Sequence, residues 1–385
     1  MCALGFMKKT RAKNRRSIAS ASRKRYRRAL KSKNVAANHR FLVSASPGQS
    51  RCRKRKWQRL RRSRLTFFPL IAPEIFGLIY PESRARLLRF LRELKRLTLQ
   101  ARQPVRVDFR NTSRMFPEGT LLFAAELDEV LRMSRGRRLV RCWGPRDDVV
   151  YQVLQHLGLF SKMGYASSAP VTSESVFYWR VSSGQEVLGR LVEPVVDYYK
   201  DHSSAAESRK LYDGLVEAMT NSRQHAYTQP RGDFAPVTIG GKRGKHKAQG
   251  RWWMYSQLKD GKLSVSFCDL GIGIKRSLLD GKTWVTDFIE KTRVALGIGS
   301  ADSDYIRTAF ELGKSRTREQ NRGKGLRDLK TVIEAVGGWF RVLSNQGLYR
   351  YTAKDNRETK SDFTDSIFGT VISWQVPVAS KEDAT

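Results

Sequence analysis

The first 70 residues hold 23 Lys and Arg and not one Asp or Glu. Runs such as Arg23-Lys24-Arg25-Tyr26-Arg27-Arg28 and Arg51-Cys52-Arg53-Lys54-Arg55-Lys56-Trp57 carry too much like charge and too little apolar surface to offset the entropy of ordering. Residues 1–64 therefore read as a disordered basic arm, and the folded body must be built from residue 65 onward. Most of the formal charge of +37 belongs to this arm, because the remaining 50 Lys and Arg face 36 Asp and Glu, an excess of 14. A stretch of this kind concentrates counterions whose release favours a polyanion. Three roles fit it: a solubilising leader with no partner, a nucleic-acid contact, or attraction to an anionic membrane surface.

At 385 residues the chain has room for two or three domains, and 40% hydrophobic with 10% aromatic residues is enough to close a core without metal or disulfide. The four cysteines, at positions 2, 52, 142 and 268, form no CxxC pair and no zinc spacing with the five histidines. A disulfide framework and a structural zinc are not expected, and a reducing compartment is. The best apolar run, residues 65–80, is interrupted by Pro69, Pro73 and Glu74, so no integral membrane segment is expected. The N-terminus lacks the pattern of a secretory signal, and the expected location is cytoplasmic.

Within the body, residues 82–97 place Leu88, Leu91, Leu94 and Leu97 at helical spacing, and 65–99 reads as a helical connector. A strand over 105–109, a helix over 119–133, a strand over 138–142 and a helix over 148–157 make a small α/β unit, residues 100–165. Its Asp108 at a strand end, the second strand leading into Gly144-Pro145 and the closing Leu157-Gly158-Leu159 resemble the domain shared by sulfate transporters and anti-sigma-factor antagonists, a STAS-like unit. In the antagonists the loop before the first long helix carries a phosphorylatable serine. Here that loop reads Met115-Phe116-Pro117-Glu118-Gly119, without a serine, though Glu118 supplies fixed negative charge. Residues 166–204 read as a linker and a helix, and 379–385 as a tail.

The chemistry lies further on. Residues 203–227 read as a helix on which Glu217, Asn221 and His225 stand at successive i,i+4 positions and share a face. A carboxylate one turn before an amide can activate a nucleophile while the amide oxygen takes a hard divalent cation; the same spacing also suits a solvated helix face. Residues 262–268 alternate Leu263, Val265 and Phe267 like a strand and run into Asp269-Leu270-Gly271-Ile272-Gly273. An acid at a strand end can accept from an adenine amine, and the two glycines let the backbone approach the base. Asn321-Arg322-Gly323-Lys324-Gly325 precedes a helix over 327–336 and offers amides and positive charge to phosphates. It is neither a Walker A loop nor a Rossmann fingerprint. A basic loop, residues 313–318, reads as a lid over the phosphates, residues 232–250 as a second glycine-rich basic insertion, and residues 368–377 as a closing strand introduced by Gly369-Thr370.

In this order the four signals resemble the GHKL-type (Bergerat) ATP-binding fold of DNA gyrase B, the ninety-kilodalton heat-shock proteins, the histidine kinases and MutL, over residues 205–378. The block from Glu217 to Tyr227 is most similar to the anti-sigma-factor serine kinases. The fold class expected is α+β: a C-terminal two-layer α/β sandwich preceded by the STAS-like unit and the basic arm. The resemblance implies ATP and Mg2+ as cofactors, with Glu217 as general base and Asn221 on the magnesium. It further implies Asp269, Gly271, Gly273 and Thr370 at the adenine and Gly323 and Gly325 around the phosphates; Arg322 and Lys324 add positive charge there, and Lys324 would stabilise developing phosphoryl charge. Slow ATP hydrolysis or serine-kinase-like transfer is the activity implied. A nucleotide-controlled interaction module without chemistry and a nucleic-acid-associated ATPase of a mobile-element or defence system are the alternatives. A protein client or regulator, nucleic acid through residues 1–64 and a nucleotide-dependent dimer are the partners to expect.

Overall fold

Three short β-branched or apolar segments lie side by side in parallel at the start of the body. They are β1 (Phe68–Ile71), β3 (Val105–Asp108) and β5 (Val140–Trp143), in the order β1-β3-β5. Parallel neighbours need long crossovers, and helices supply them here. The first is α1 (Pro81–Lys95), continued as a π turn over Arg96–Gln100, and the second is α2 (Pro117–Met133). Both begin with proline at a position whose N–H would have no helical partner anyway. A second pair of strands, β2 (Ile75–Phe76) and β4 (Arg114–Met115), sits beside them, and Gly119 lets α2 approach: a Cβ there would stand 2.6 Å from the Phe76 backbone. Next come α3 (Asp148–His156), whose first turn is capped by the Asp147 carboxylate accepting from Val150 N at 2.9 Å, and α4 (Leu159–Lys162). In this computed structural model the described residues are 66–134, 139–167, 172–173, 179–184, 216, 218–220, 222, 226–229, 231–232, 250–280, 283–312 and 324–377. The described residues from Phe67 onward belong to one compact unit.

The helices and strands expected over 82–157 stand within a few residues of where they are found. The connector expected over 65–99 is corrected: its first residues are strand β1, paired in parallel with β3 from Phe68↔Val105 to Ile71↔Asp108. That stretch belongs to the α/β layer itself.

The larger layer is a seven-stranded antiparallel sheet, so the architecture is mixed α+β. Its strands are β6 (Trp179–Gly184), β7 (Trp252–Lys259), β8 (Lys262–Asp269), β9 (Trp339–Ser344), β10 (Gly347–Thr352), β11 (Arg357–Asp362) and β12 (Thr370–Pro377), ordered β11-β10-β9-β12-β8-β7-β6. β12, last in sequence, inserts between β9 and β8. The β7–β8 turn is Asp260-Gly261, both at positive φ (51° and 62°), the backbone twist a two-residue hairpin requires. β6 comes from residues expected to be linker, which extends the sheet beyond the expected 205 boundary.

Alternation along these strands produces two apolar faces. Trp252, Phe267, Phe340, Val342, Ile372 and Trp374 point to one side. There they meet Met219 of the helical residues at 216, 218–220 and 222, Ile306 and Phe310 of α7 (Asp302–Leu312), and Leu329 and Ile333 of α8 (Lys324–Val336). Between β8 and α7 run α5 (Ile274–Leu279) and α6 (Thr283–Ala295). Trp253, Tyr255, Cys268, Leu343 and Val371 point the other way and share one core with α1, α2 and the parallel strands. At roughly 1.5–3 kcal/mol per fully buried large apolar side chain, that second contact is a true core rather than a transient docking. The sheet is thus covered on both faces, by α7, α8 and the described residues of 216–222 on one and by α1, α2 and the parallel-stranded unit on the other.

Polar ties reinforce the contact. The buried Arg84 guanidinium donates to the carbonyls of Asp365 (3.1 Å) and Asn345 (2.7 Å) and lies over the Phe363 ring. Trp253 Nε1 donates to Asp128 at 2.9 Å, and Asp128 also accepts from Lys162 at 2.6 Å. No helix among the described residues is long and apolar enough to cross a membrane.

Candidate functional site

β8 is an inner strand, so its last residue is flanked on both sides: Asp269 pairs with Trp252 of β7 and with Thr370 of β12. The side chain is 7% exposed. Burial disfavours the charged carboxyl and lifts it from 3.8 to about 6, against backbone hydrogen bonds from Gly271 and Thr370 and the nearby Arg231 charge, which all pull it down. Gly271 N donates to Asp269 Oδ1 at 2.9 Å. The strand end therefore carries a buried carboxylate held by two backbone donors.

The loop after it is fixed from two directions. Leu270 N donates to Tyr227 Oη at 3.0 Å, and Ile272 N donates to Ala226 O at 2.7 Å. Ile274 N donates to Ser344 Oγ at 2.8 Å, while Asn345 Nδ2 donates to Ile272 O at 2.9 Å. Both glycines have a reason. A Cβ on Gly271 would stand 2.3 Å from Ala226 O, and Gly273 has φ +81° with Asn345 Nδ2 2.3 Å from the place of its Cβ. The segment just after the 216–222 helical residues is thus pressed against the glycine loop. Tyr227 donates its hydroxyl proton to Arg251 O, and burial pushes that phenol well above its ordinary range.

Thr370 enters β12 beside Asp269, its Oγ1 3.4 Å from Ser344 Oγ. The turn before it is held by Arg231, whose Nε donates to Phe368 O and whose Nη2 donates to Ile367 O at 3.2 Å. The same Nη2 lies 2.5 Å from Glu126 of α2, which also accepts from Lys95 Nζ at 2.9 Å. Glu126 is 2% exposed; desolvation would raise its carboxyl, but Arg231 and Lys95 together hold it well below the ordinary carboxylate range. One buried triad therefore connects α1 and α2 to the turn that presents Thr370.

The structure brings together Asp269, Gly271, Gly273 and Thr370. Lys324 and Gly325 open α8, with their backbone amides in its first turn. Glu217, Asn221, His225, Arg322 and Gly323, the 313–318 lid and residues 233–249 of the basic insertion lie outside the described residues. Among the described residues no cluster of three or more His, Cys, Asp or Glu could hold a metal ion. Sequence reasoning gave no role to Ala226, Tyr227, Arg231, Ser344 or Asn345. Ser344-Asn345-Gln346-Gly347 carried a usable signal, since a Ser/Asn/Gly cluster between two apolar runs marks a turn and Asn tolerates the left-handed conformation; Asn345 does sit at φ +51°. Arg231 carried none, because its partner lies 105 residues away. Compared with family models, with curated proteins and with solved structures, the chain finds no match.

Proposed function

We propose that the chain is a Mg2+-dependent ATP-binding regulatory protein whose adenine seat is Asp269. The observation that supports this most is the state of that carboxylate: buried at the end of an inner strand and raised to about 6. An exocyclic amine donated to it would relieve the desolvation that now opposes its charge. Gly271 and Gly273 then flank the base and Thr370 assists beside it. Asn221 would hold the magnesium, which when bound neutralises phosphate charge. Arg322, Gly323, Lys324 and Gly325 surround the phosphates at the start of α8, and Glu217 accepts the proton of the attacking water or hydroxyl.

On this reading the parallel-stranded layer, STAS-like in its pattern, is the regulator, and the Lys95–Glu126–Arg231 triad is its link to the nucleotide. That link also favours a second reading, a switch in which nucleotide changes partner binding without turnover. Incubation with magnesium and ATP labelled on the γ-phosphate, resolving free from protein-bound phosphate, separates the two. The catalytic reading predicts product from the natural chain and none from Glu217→Gln, with nucleotide still bound. Equal product from both chains would remove Glu217 from its role, and bound nucleotide without product from the natural chain would favour the switch.

A further inference from the structure

A parallel sheet is nearly always covered on both faces, yet among the described residues only one face of β1-β3-β5 is covered. Leu70, Val105, Val107, Val140 and Cys142 are buried beneath the helices. The opposite face runs in two rows set by the strand register: Pro69, Arg106 and Arg141, then Ile71, Asp108 and Trp143. Ile71 is 71% exposed and Trp143 36%. The Arg106 guanidinium lies between two rings, 5.1 Å from the centroid of Phe67 and 5.1 Å from that of Trp143, and Arg110 lies 5.2 Å from Trp143. Asp108, the acid in these rows, is ion-paired to Arg110 at 2.6 Å. Its carboxyl is held below the ordinary range by that hydrogen bond and further by Arg146, which brings a fourth arginine to the same region.

The exposed Trp143 ring and the half-buried Phe67 ring, interleaved with guanidinium groups on this sheet face, have two complementary needs: a planar partner for the rings and anions for the cations. We infer that this face is a stacking platform for single-stranded nucleic acid, with Phe67 and Trp143 taking bases and Arg106 and Arg146 taking phosphates, while Arg141 at the edge donates to Gly164 O at 2.8 Å. A single strand offers unpaired bases and a regularly spaced anion, whereas a duplex hides its bases in the stack. Charge argues the same way, since Phe67 comes directly in sequence after the basic stretch that contains no acid. The contacts are to bases and phosphates and not to sugar, so DNA and RNA strands bind alike. The inference is independent of the nucleotide reading.

The test is fluorescence anisotropy of a labelled oligo(dT) and an oligo(U) of about 15 nucleotides with the full chain, without ATP, across a salt series. Both strands bind within a few-fold of one another. Phe67→Ala and Trp143→Ala each weaken them about tenfold, the usual loss for one stacked base. Arg106→Gln and Arg146→Gln each flatten the dependence of log K on log salt by about 0.7. A duplex of the same length competes poorly. Natural affinity in the Phe67→Ala/Trp143→Ala double variant would overturn the platform, as would absence of binding at low salt. Equal competition by duplex or by polyglutamate would also overturn it, the latter pointing to an acidic protein instead. Should Trp143→Ala fail to fold, photocrosslinking of a 4-thiouridine strand to the unaltered chain decides: crosslinks within residues 67–71 or 141–146 support the face, and crosslinks confined elsewhere overturn it.

Discussion

Asp269→Asn should make the protein more stable and less able to bind nucleotide. The Asp269 carboxyl rises from 3.8 to about 6 on folding. The folded state therefore holds this proton more tightly than the unfolded chain. The group's contribution favours folding below about pH 3.8 and is lost as pH rises through about 6. At pH 7 the ionised group costs about 3 kcal/mol, from 1.36 kcal/mol per pKa unit. Asparagine removes that cost but turns an NH2 toward one of the two backbone donors, returning about 1 kcal/mol. The net gain is about 2 kcal/mol, which raises Tm by about 4 °C for a body of this size. The same change replaces a charge-assisted acceptor, so ATP binding should weaken by about 10- to 100-fold. Thermal melts at pH 7 and pH 5 with equilibrium ATP titration check both halves: the stability gain shrinks at pH 5, where the natural carboxyl is largely protonated. A variant that is destabilised at pH 7, or that binds ATP unchanged, would refute the reasoning.

Other perturbations read other parts of the account. ATP affinity of the natural chain falls by up to tenfold per pH unit below about pH 6, as Asp269 takes up a proton; a flat profile between pH 5 and 7 counts against Asp269 as acceptor. Gly271→Ala drives a Cβ into the Ala226 backbone and costs about 3 kcal/mol, measured by denaturant unfolding. Glu126→Gln leaves Lys95 and Arg231 without their shared counter-charge and costs about 3–5 kcal/mol. Because the Glu126 carboxyl is depressed on folding, its contribution is present above the ordinary carboxylate range and is lost as pH falls below it, the reverse of Asp269. Deleting residues 1–64 lowers the salt sensitivity of oligonucleotide binding, which a filter assay across salt concentrations measures.

The range of each interaction decided how far the sequence disclosed it. β8 was legible because Leu263, Val265 and Phe267 alternate and Asp269 with two glycines ends the run. Strand periodicity and turn chemistry are local properties. α1 and α2 were legible for the same reason. β1 was not, since four residues with Pro69 among them carry no alternation and become a strand only by lying against β3. The burial of both sheet faces was hidden too: Ser264, Ser266 and Cys268 read as the polar side of β8, yet Ser266 is buried against Ser373 at 2.6 Å and Cys268 packs with the α2 layer. Of the candidate site, the acid and the glycines announced themselves, whereas Arg231 and Glu126 are meaningful only once α2 lies on the sheet.

The claim that Asp269 reads an adenine amine is tested most directly by equilibrium binding of ATP against inosine triphosphate, which differs in carrying a carbonyl and a ring N–H where adenine has the amine and a bare nitrogen. The account predicts that ATP binds at least tenfold more tightly and that Asp269→Asn erases the preference. Equal binding of the two nucleotides to the natural chain, or a preference that survives Asp269→Asn, would contradict it.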